Sequence, residues 1–323
     1  METAYELARC PVCDGAGEEV ADAAELRREA EWLWEFHLRR LRPGTPTRFL
    51  ADRVFFSQPP PLRLERCAGC GTLFRNPRER GRELARAYGA ESVDADVLRG
   101  LADSQGAACR TQARRLTRFA GGAGRGVEVG SYVGAFLAAA RVAGWDFEGV
   151  DVNEAANRLA RERGFRVRTG SLADLSDREA RYDAVAIWNC FDQLPHPRAA
   201  AAAARRLLRP GGLLALRVPN GGFYAALRPA LRGPLAPLAR VLLAHNNLLA
   251  FPYRFGFTPA SLARLLREEG LSVVGVVGDA LVPTADAWTR PWAAREERAL
   301  KALLRALAPA SASPWFELYA RAV

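Results

Sequence analysis

The chain is almost without lysine: Lys301 is the single lysine among 46 basic residues. Histidine is nearly as scarce, at three residues, His37, His196 and His245. That shortens the list of side chains able to take a proton near neutral pH. No long apolar run is present. Val241 to Leu249 is short and interrupted by His245, Asn246 and Asn247, so no membrane span is expected. Met1 to Glu6 has neither a positive start nor a following apolar core. A secretory signal is therefore not predicted, and a cytoplasmic, reducing location is the expectation. No compact basic tract occurs; the arginines are scattered over most predicted helices. What is present is a net charge of +10, carried by arginine. It leaves an anionic partner open: nucleic acid, a nucleotide-linked substrate or a phospholipid surface. A hydrophobic content of 49% with 25% charged residues excludes wholesale disorder. The 323 residues suffice for one large α/β domain and a smaller appendage.

Four of the six cysteines form two C-x-x-C pairs, Cys10-Pro11-Val12-Cys13 and Cys67-Ala68-Gly69-Cys70. Each spacing makes a tight turn with both thiolates facing one point. Asp14-Gly15 follows the first pair and Gly71 the second, which lets backbone amides point at the sulfurs. Two such turns together give a tetrahedral four-thiolate site suited to Zn²⁺, with Cys10, Cys13, Cys67 and Cys70 as ligands. A redox dithiol or plain structural cysteines are the alternative. Fifty-three residues lie between the pairs, far more than in a compact ribbon. The filler reads as helix: Ala21 to Leu41 puts Leu26, Ala30, Leu33, Trp34, Phe36, Leu38 and Leu41 near one face, and Pro43-Gly44 ends it. Cys109 and Cys190 have no partner in the sequence and read as buried thiols.

Farther on, Val127 to Val129 read as a buried strand, Gly130 as a turn, and Ala135 to Val142 as a helix that Gly134 lets start close to the strand end. A strand, a glycine turn and a helix N-terminus form a nucleotide site by backbone geometry and dipole. Trp145 to Val150 make a second strand with Asp151 at its end, where a carboxylate accepts both hydroxyls of a ribose. Helix Glu154 to Arg163, strand Phe165 to Thr169, strand Tyr182 to Trp188, a helix beginning near Pro197, and strand Leu213 to Val218 follow. The alternation predicts a parallel sheet.

Val127-Glu128-Val129-Gly130 resembles the first motif of class I S-adenosylmethionine-dependent methyltransferases. Gly149-Val150-Asp151 resembles their ribose-binding acidic motif. Leu207-Leu208-Arg209-Pro210-Gly211-Gly212-Leu213-Leu214 is similar to their "LkPGGll" segment, continued by Val218-Pro219-Asn220. The resemblance covers about residues 120 to 275. Cys67 to Pro77 also resembles a bacterial arrangement in which a two-knuckle zinc module precedes a methyltransferase domain. The resemblance implies an α/β, Rossmann-like seven-stranded sheet with strand seven antiparallel, closed by Leu271 to Val277 and Trp315 to Val323 around helix Ala293 to Leu307. It implies S-adenosylmethionine as cofactor, beside Zn²⁺. Gly130, Ser131 and Gly134 would line its methionine end, with Glu128, also on the cofactor side, supporting the loop. Asp151 and Val152 would hold the ribose, Ser171, Leu172 and Asp174 would border the adenine, and Asn189 and Cys190 would lie near the sulfonium. Two departures stand out. Tyr132 replaces the usual middle glycine, and Asp192-Gln193 stands where many relatives have Glu-His.

The expected organisation is a zinc module with a helical insertion over residues 1–78, a helical linker or cap over 79–120, and a methyltransferase domain over 121–323. Residues 221–257 would form a substrate lid. That lid carries Phe223, Tyr224, Arg228, Arg232, His245, Asn246, Asn247, Tyr253 and Arg254; His245 and Tyr253 are the candidate catalytic groups. His37 and His196 read as packing and helix-start residues. The expected function is O- or C-methylation of a small molecule such as a sugar, glycan precursor or secondary metabolite. An RNA methyltransferase gripping RNA through the zinc module is the alternative, and a non-catalytic scaffold of the same fold is a further one.

Overall fold

The computed structural model describes residues 5–46, 62–81, 95–307 and 309–323. Parts of the expected insertion (47–61) and of the expected linker (82–94) lie outside the described residues. The chain divides into two compact units that do not follow its order. One comprises Met1–Glu79, Pro219–Leu262 and Val277–Phe316; the other comprises Arg80–Val218, Ala263–Val276 and Glu317–Val323.

The second unit holds a seven-stranded sheet. Its strands, in chain order, are Arg125–Val129, Asp146–Asp151, Val167–Thr169, Tyr182–Trp188, Leu208–Pro219, Leu271–Asp279 and Trp315–Ala322. Numbered one to seven, they lie in the order six, seven, five, four, one, two, three. Five to four, four to one, one to two and two to three pair in parallel. The sheet is mixed through an antiparallel pairing among the rest. Strands four and five show why they are central: Ala184 to Ile187 and Leu213 to Leu216 are fully buried. Continuous burial on both faces is the mark of a sheet covered by helices. Helix Pro197–Leu207 starts on a proline, whose missing N–H costs nothing at the first turn. It buries Ala201, Ala204 and Leu207. Helix Ala95–Ala120 is tied to the start of strand two by Trp145 Nε1 donating to Thr117 Oγ1 at 2.9 Å.

The first unit is built from distant segments. Its four-stranded antiparallel sheet runs Phe255–Gly256, Leu73–Asn76, Arg63–Cys67, Gly17–Ala21. Helix Ala23–Arg40 opens on an Asp22–Glu25 capping box, each residue's side chain bonding the other's backbone N–H. Its buried stripe is Leu26, Leu33 and Phe36. Leu38, expected on that face, is 42% exposed. Two residues past Phe36 is about 200° around the helix, which turns it to solvent. The helix is joined to the later segment by one polar network. Arg228 is paired with Glu25 and Glu29, and Tyr224 Oη donates to Glu29. Ala250 N also donates to Glu29 Oε2, at 2.9 Å. Apolar packing of Leu26, Leu33 and Phe36 with Tyr224, Leu243, Leu248 and Phe251 surrounds it. Helix Pro291–Leu307 belongs to the same unit. Its Lys301 is fully buried, donating to Val282 O at 2.8 Å and pairing with Glu297. Among the described residues no helix is long and apolar enough to cross a membrane.

Candidate cofactor cleft and thiolate centre

In the second unit, strand one lies between strands four and two, the point where the strand order reverses. Ligands of such sheets bind at the carboxyl ends of the strands there. The loop leaving strand one is shaped by its glycines. Gly130 has φ +75° and Gly134 φ +71°. A methyl group on Gly130 would come within 2.6 Å of Cys190 Sγ, and one on Gly134 within 2.9 Å of the Phe165 ring. Gly130 N and Ser131 N both donate to Val150 O, which fastens the loop to strand two. Tyr132, at the usual glycine position, adopts φ +44°. That left-handed backbone is why glycine suits the position. Its amide donates to Asp151 Oδ2 at 2.9 Å.

Asp151 ends strand two, and its other oxygen accepts from Asn153 N at 2.8 Å. Burial raises its pKa, opposed by the amides of Asn153, Tyr132 and Val152. The loop after strand three joins it, since Gly170 N donates to Asp151 O at 3.0 Å. Ser171 and Asp174 bond each other across the next turn, while Leu172 is buried. Asn189, at φ +60°, accepts on its Oδ1 from buried Arg217, and Cys190 Sγ lies 3.4 Å from Val129 O. The sequence-derived cofactor residues thus fall on four neighbouring strand ends.

Several buried polar atoms here have no hydrogen-bond partner among the described residues: Glu128 Oε2, Ser131 Oγ and Asp192 Oδ1. Burial lifts Glu128 well above the ordinary carboxylate range, with the Asp151 charge adding to it. Burial pushes Asp192 up to about 8. Buried polar atoms left unmatched are costly, so each of these calls for a partner such as ordered water or a ligand. Asn157 was missed from the sequence. It is fully buried, and its Nδ2 donates to Asp151 O at 2.9 Å and to Thr169 Oγ1 at 3.0 Å. A polar residue on the buried face of helix Glu154–Glu162, one turn past the Asn153 cap, was the available signal.

In the first unit the four sulfurs of Cys10, Cys13, Cys67 and Cys70 lie within 4.8 Å of one another. Cys10–Cys70 and Cys13–Cys67 are each 3.4 Å apart. Four sulfurs at ~2.3 Å from one ion would be about 3.8 Å apart, so the set has the size of a tetrahedral thiolate centre. Gly15 permits the approach; a methyl group there would meet Cys67 Sγ at 3.1 Å. Asn76 joins the two knuckles, exchanging two 3.0 Å bonds with the backbone of Ala8.

The remaining candidates are also in the first unit. His245 is buried, its Nε2 is 2.9 Å from Glu296 Oε1, and its ring meets the Phe36 ring edge-on at 5.0 Å. Burial lowers its pKa despite Glu296. Tyr253 is half-buried. His37 lies edge-on to Phe36, and His196 is exposed at a helix start without a capping bond.

A parallel-type sheet with a glycine turn after strand one and an acid after strand two defines a class of nucleotide-binding α/β proteins. Residues 102–276 match the family model of the methyltransferase domain, and the chain belongs to that family. It is 30% identical over 163 residues to a ubiquinone biosynthesis O-methyltransferase of Methylococcus capsulatus, covering 48% of this chain and 65% of that one. It is 28% identical over 166 residues to the enzyme of the same name from Bordetella avium, covering 48% and 64%. The chain thus spans slightly less than two thirds of either relative. Among solved structures, it is similar to the Burkholderia thailandensis 1,6-didemethyltoxoflavin-N1-methyltransferase. That match has 17% identity, covers 81% of this chain and 96% of that one, and has a TM-score of 0.46.

Proposed function

We propose that this protein transfers a methyl group from S-adenosylmethionine to a hydroxyl of a small molecule. The observation that carries the reading is the strand-end cluster of unmatched Glu128 Oε2 and Ser131 Oγ beside Asp151 and the Gly130–Gly134 loop. The donor set fits the cofactor. Asp151 retains acceptor capacity on both oxygens for a ribose diol, Ser131 and Glu128 offer polar atoms to the amino-acid end, and Leu172 offers an apolar edge to the adenine. Asn189 and Cys190 border the reacting end in this reading. The relatives named as O-methyltransferases support a hydroxyl as acceptor.

When bound, the cofactor supplies an electrophilic methyl group on a sulfonium. The chain's own residues align an acceptor with it and exclude water, which accounts for much of the barrier lowering in such displacements. His245 serves the insertion as a support, its Nε2 taken up by Glu296. Tyr253 remains the insertion's candidate to touch substrate. We also propose that Cys10, Cys13, Cys67 and Cys70 hold one Zn²⁺ in a structural role, with no ligand position open for chemistry.

Calorimetric titration of the full chain with S-adenosylhomocysteine tests the reading. Saturable one-to-one binding is expected, and an absence of heat at millimolar ligand would end it.

A further inference from the structure

The thiolate centre sits in the same unit as the insertion that the methyl-transfer reading places on the substrate side. The second knuckle, Cys67 to Gly71, runs directly into strand Leu73–Asn76. On one side that strand pairs with Arg63–Cys67. On the other it pairs with the insertion: Phe74 is opposite Phe255 and Leu73 opposite Gly256. A methyl group on Gly256 would come within 3.0 Å of Leu73 Cβ, so the two segments meet backbone to backbone.

Arg75 fastens the turn ahead of that pairing. Its side chain is buried, with Nε donating to Pro252 O and Nη2 to Ala250 O, both at 2.5 Å. Its own amide donates to Arg254 O at 3.3 Å. One residue therefore takes up three carbonyls of the turn that carries Tyr253. The turn needs such support at Ala250, whose backbone is left-handed at φ +53°. An alanine, with a Cβ and no side-chain hydrogen bond to offset the strain, holds that conformation only where its surroundings impose it. A buried guanidinium is a suitable clamp, since its fork presents several donors in one plane and it does not deprotonate.

We propose that the four-thiolate centre, acting through Arg75, is a positioning device for the turn Asn246–Phe257, and so sets the geometry in which Tyr253 is presented. Metal binding fixes the knuckle, the knuckle fixes strand Leu73–Asn76, and that strand holds the turn by pairing and by the Arg75 fork. The inference rests on the proposal that the insertion faces substrate. Its mechanical core concerns only the first unit.

Hydrogen exchange read by mass spectrometry tests it on the full chain. One arm compares protein as purified, protein stripped with a zinc chelator, and stripped protein resupplied with Zn²⁺. Stripping should speed exchange in peptides covering 246–257 by about tenfold or more, together with the knuckle peptides, and Zn²⁺ should reverse it. Peptides of Arg125–Val129 and Tyr182–Trp188, and the affinity for S-adenosylhomocysteine, should not change. The other arm keeps the metal. Arg75→Met should loosen 246–257 at unchanged zinc content, and Arg75→Lys, which keeps a donor and the charge, should restore part of the protection. Unchanged exchange at 246–257 on stripping overturns the proposal, as does equal protection in Arg75→Met and the wild type. Failure of S-adenosylhomocysteine to bind any form, with the exchange pattern as expected, sinks the methyl-transfer reading and leaves the clamp standing.

Discussion

Replacing Asp151 by asparagine isolates what the strand-two carboxylate does. Tyr132 N–H and Asn153 N–H occupy one acceptor direction on each oxygen. In the variant one oxygen becomes an NH₂ group. Turned toward a bound ribose, it loses a hydrogen bond to a charged acceptor, worth about 1.5–3 kcal/mol. In either orientation it also sets donor against donor at Tyr132 or Asn153, leaving a buried amide unmatched at a cost of about 1–3 kcal/mol that falls on free and bound protein alike and so lowers stability and not affinity. Loss of the charge weakens the surviving bonds as well. The change in Kd for S-adenosylhomocysteine near neutral pH is therefore about 1.5–3 kcal/mol, or roughly one to two orders of magnitude. Calorimetry reads it directly, with circular dichroism showing that the variant is folded. A pH series adds a sign. Ribose hydroxyls bind the carboxylate and not the acid, and burial raises the Asp151 pKa. Wild-type affinity should therefore start to fall above the ordinary carboxylate range as the solution is acidified, while the variant's should not. A folded Asp151→Asn protein that binds within about threefold of wild type would refute the assignment of this cleft.

Asp192 yields a stability prediction of the opposite sense to most carboxylates. Its folded-state pKa of about 8 exceeds the unfolded value of about 3.9, so its contribution is fully present below pH ~4 and lost as the pH rises toward 8. Asp192→Asn should therefore gain on wild type across that window, by up to about 1.4 kcal/mol per pH unit; parallel stability profiles would show that the carboxyl is not held neutral. Metal analysis of the purified chain should find about one zinc, lost in Cys67→Ser; a variant that keeps its zinc would remove that cysteine from the centre.

The sheet was legible because its signals are local. Tyr182–Trp188 and helix Ala135–Val142 have the boundaries that apolar runs and glycine punctuation indicate. The thiolate cluster was equally readable, since each C-x-x-C spacing turns its two sulfurs toward one point. What was not legible is non-local. Nothing in Phe255-Gly256 announces a strand two residues long, because its partner Leu73–Asn76 lies far back in the chain. Nothing local distinguishes Arg75 from the chain's other arginines, because the carbonyls it binds, of Ala250 and Pro252, lie far along the chain. Asp192 reads as a loop acid, yet a short helical turn at Phe191–Gln193 carries it inside. Leu38 was misplaced by counting apolar residues along the insertion helix without following their angles around its axis.

Lys301 has a consequence for the chemistry of the whole surface. The single lysine is sealed between Glu297 and the Val282 carbonyl. The folded protein therefore shows the solvent no lysine amine, and its positive charge there is carried by guanidinium, which holds its proton until the pH exceeds about 12. Amine-directed acylating reagents and lysine cross-linkers should leave the native chain's side chains untouched. An acyl group on Lys301 would then timestamp the opening of the region around helix Pro291–Leu307, a reporter residue that the composition has already made unique.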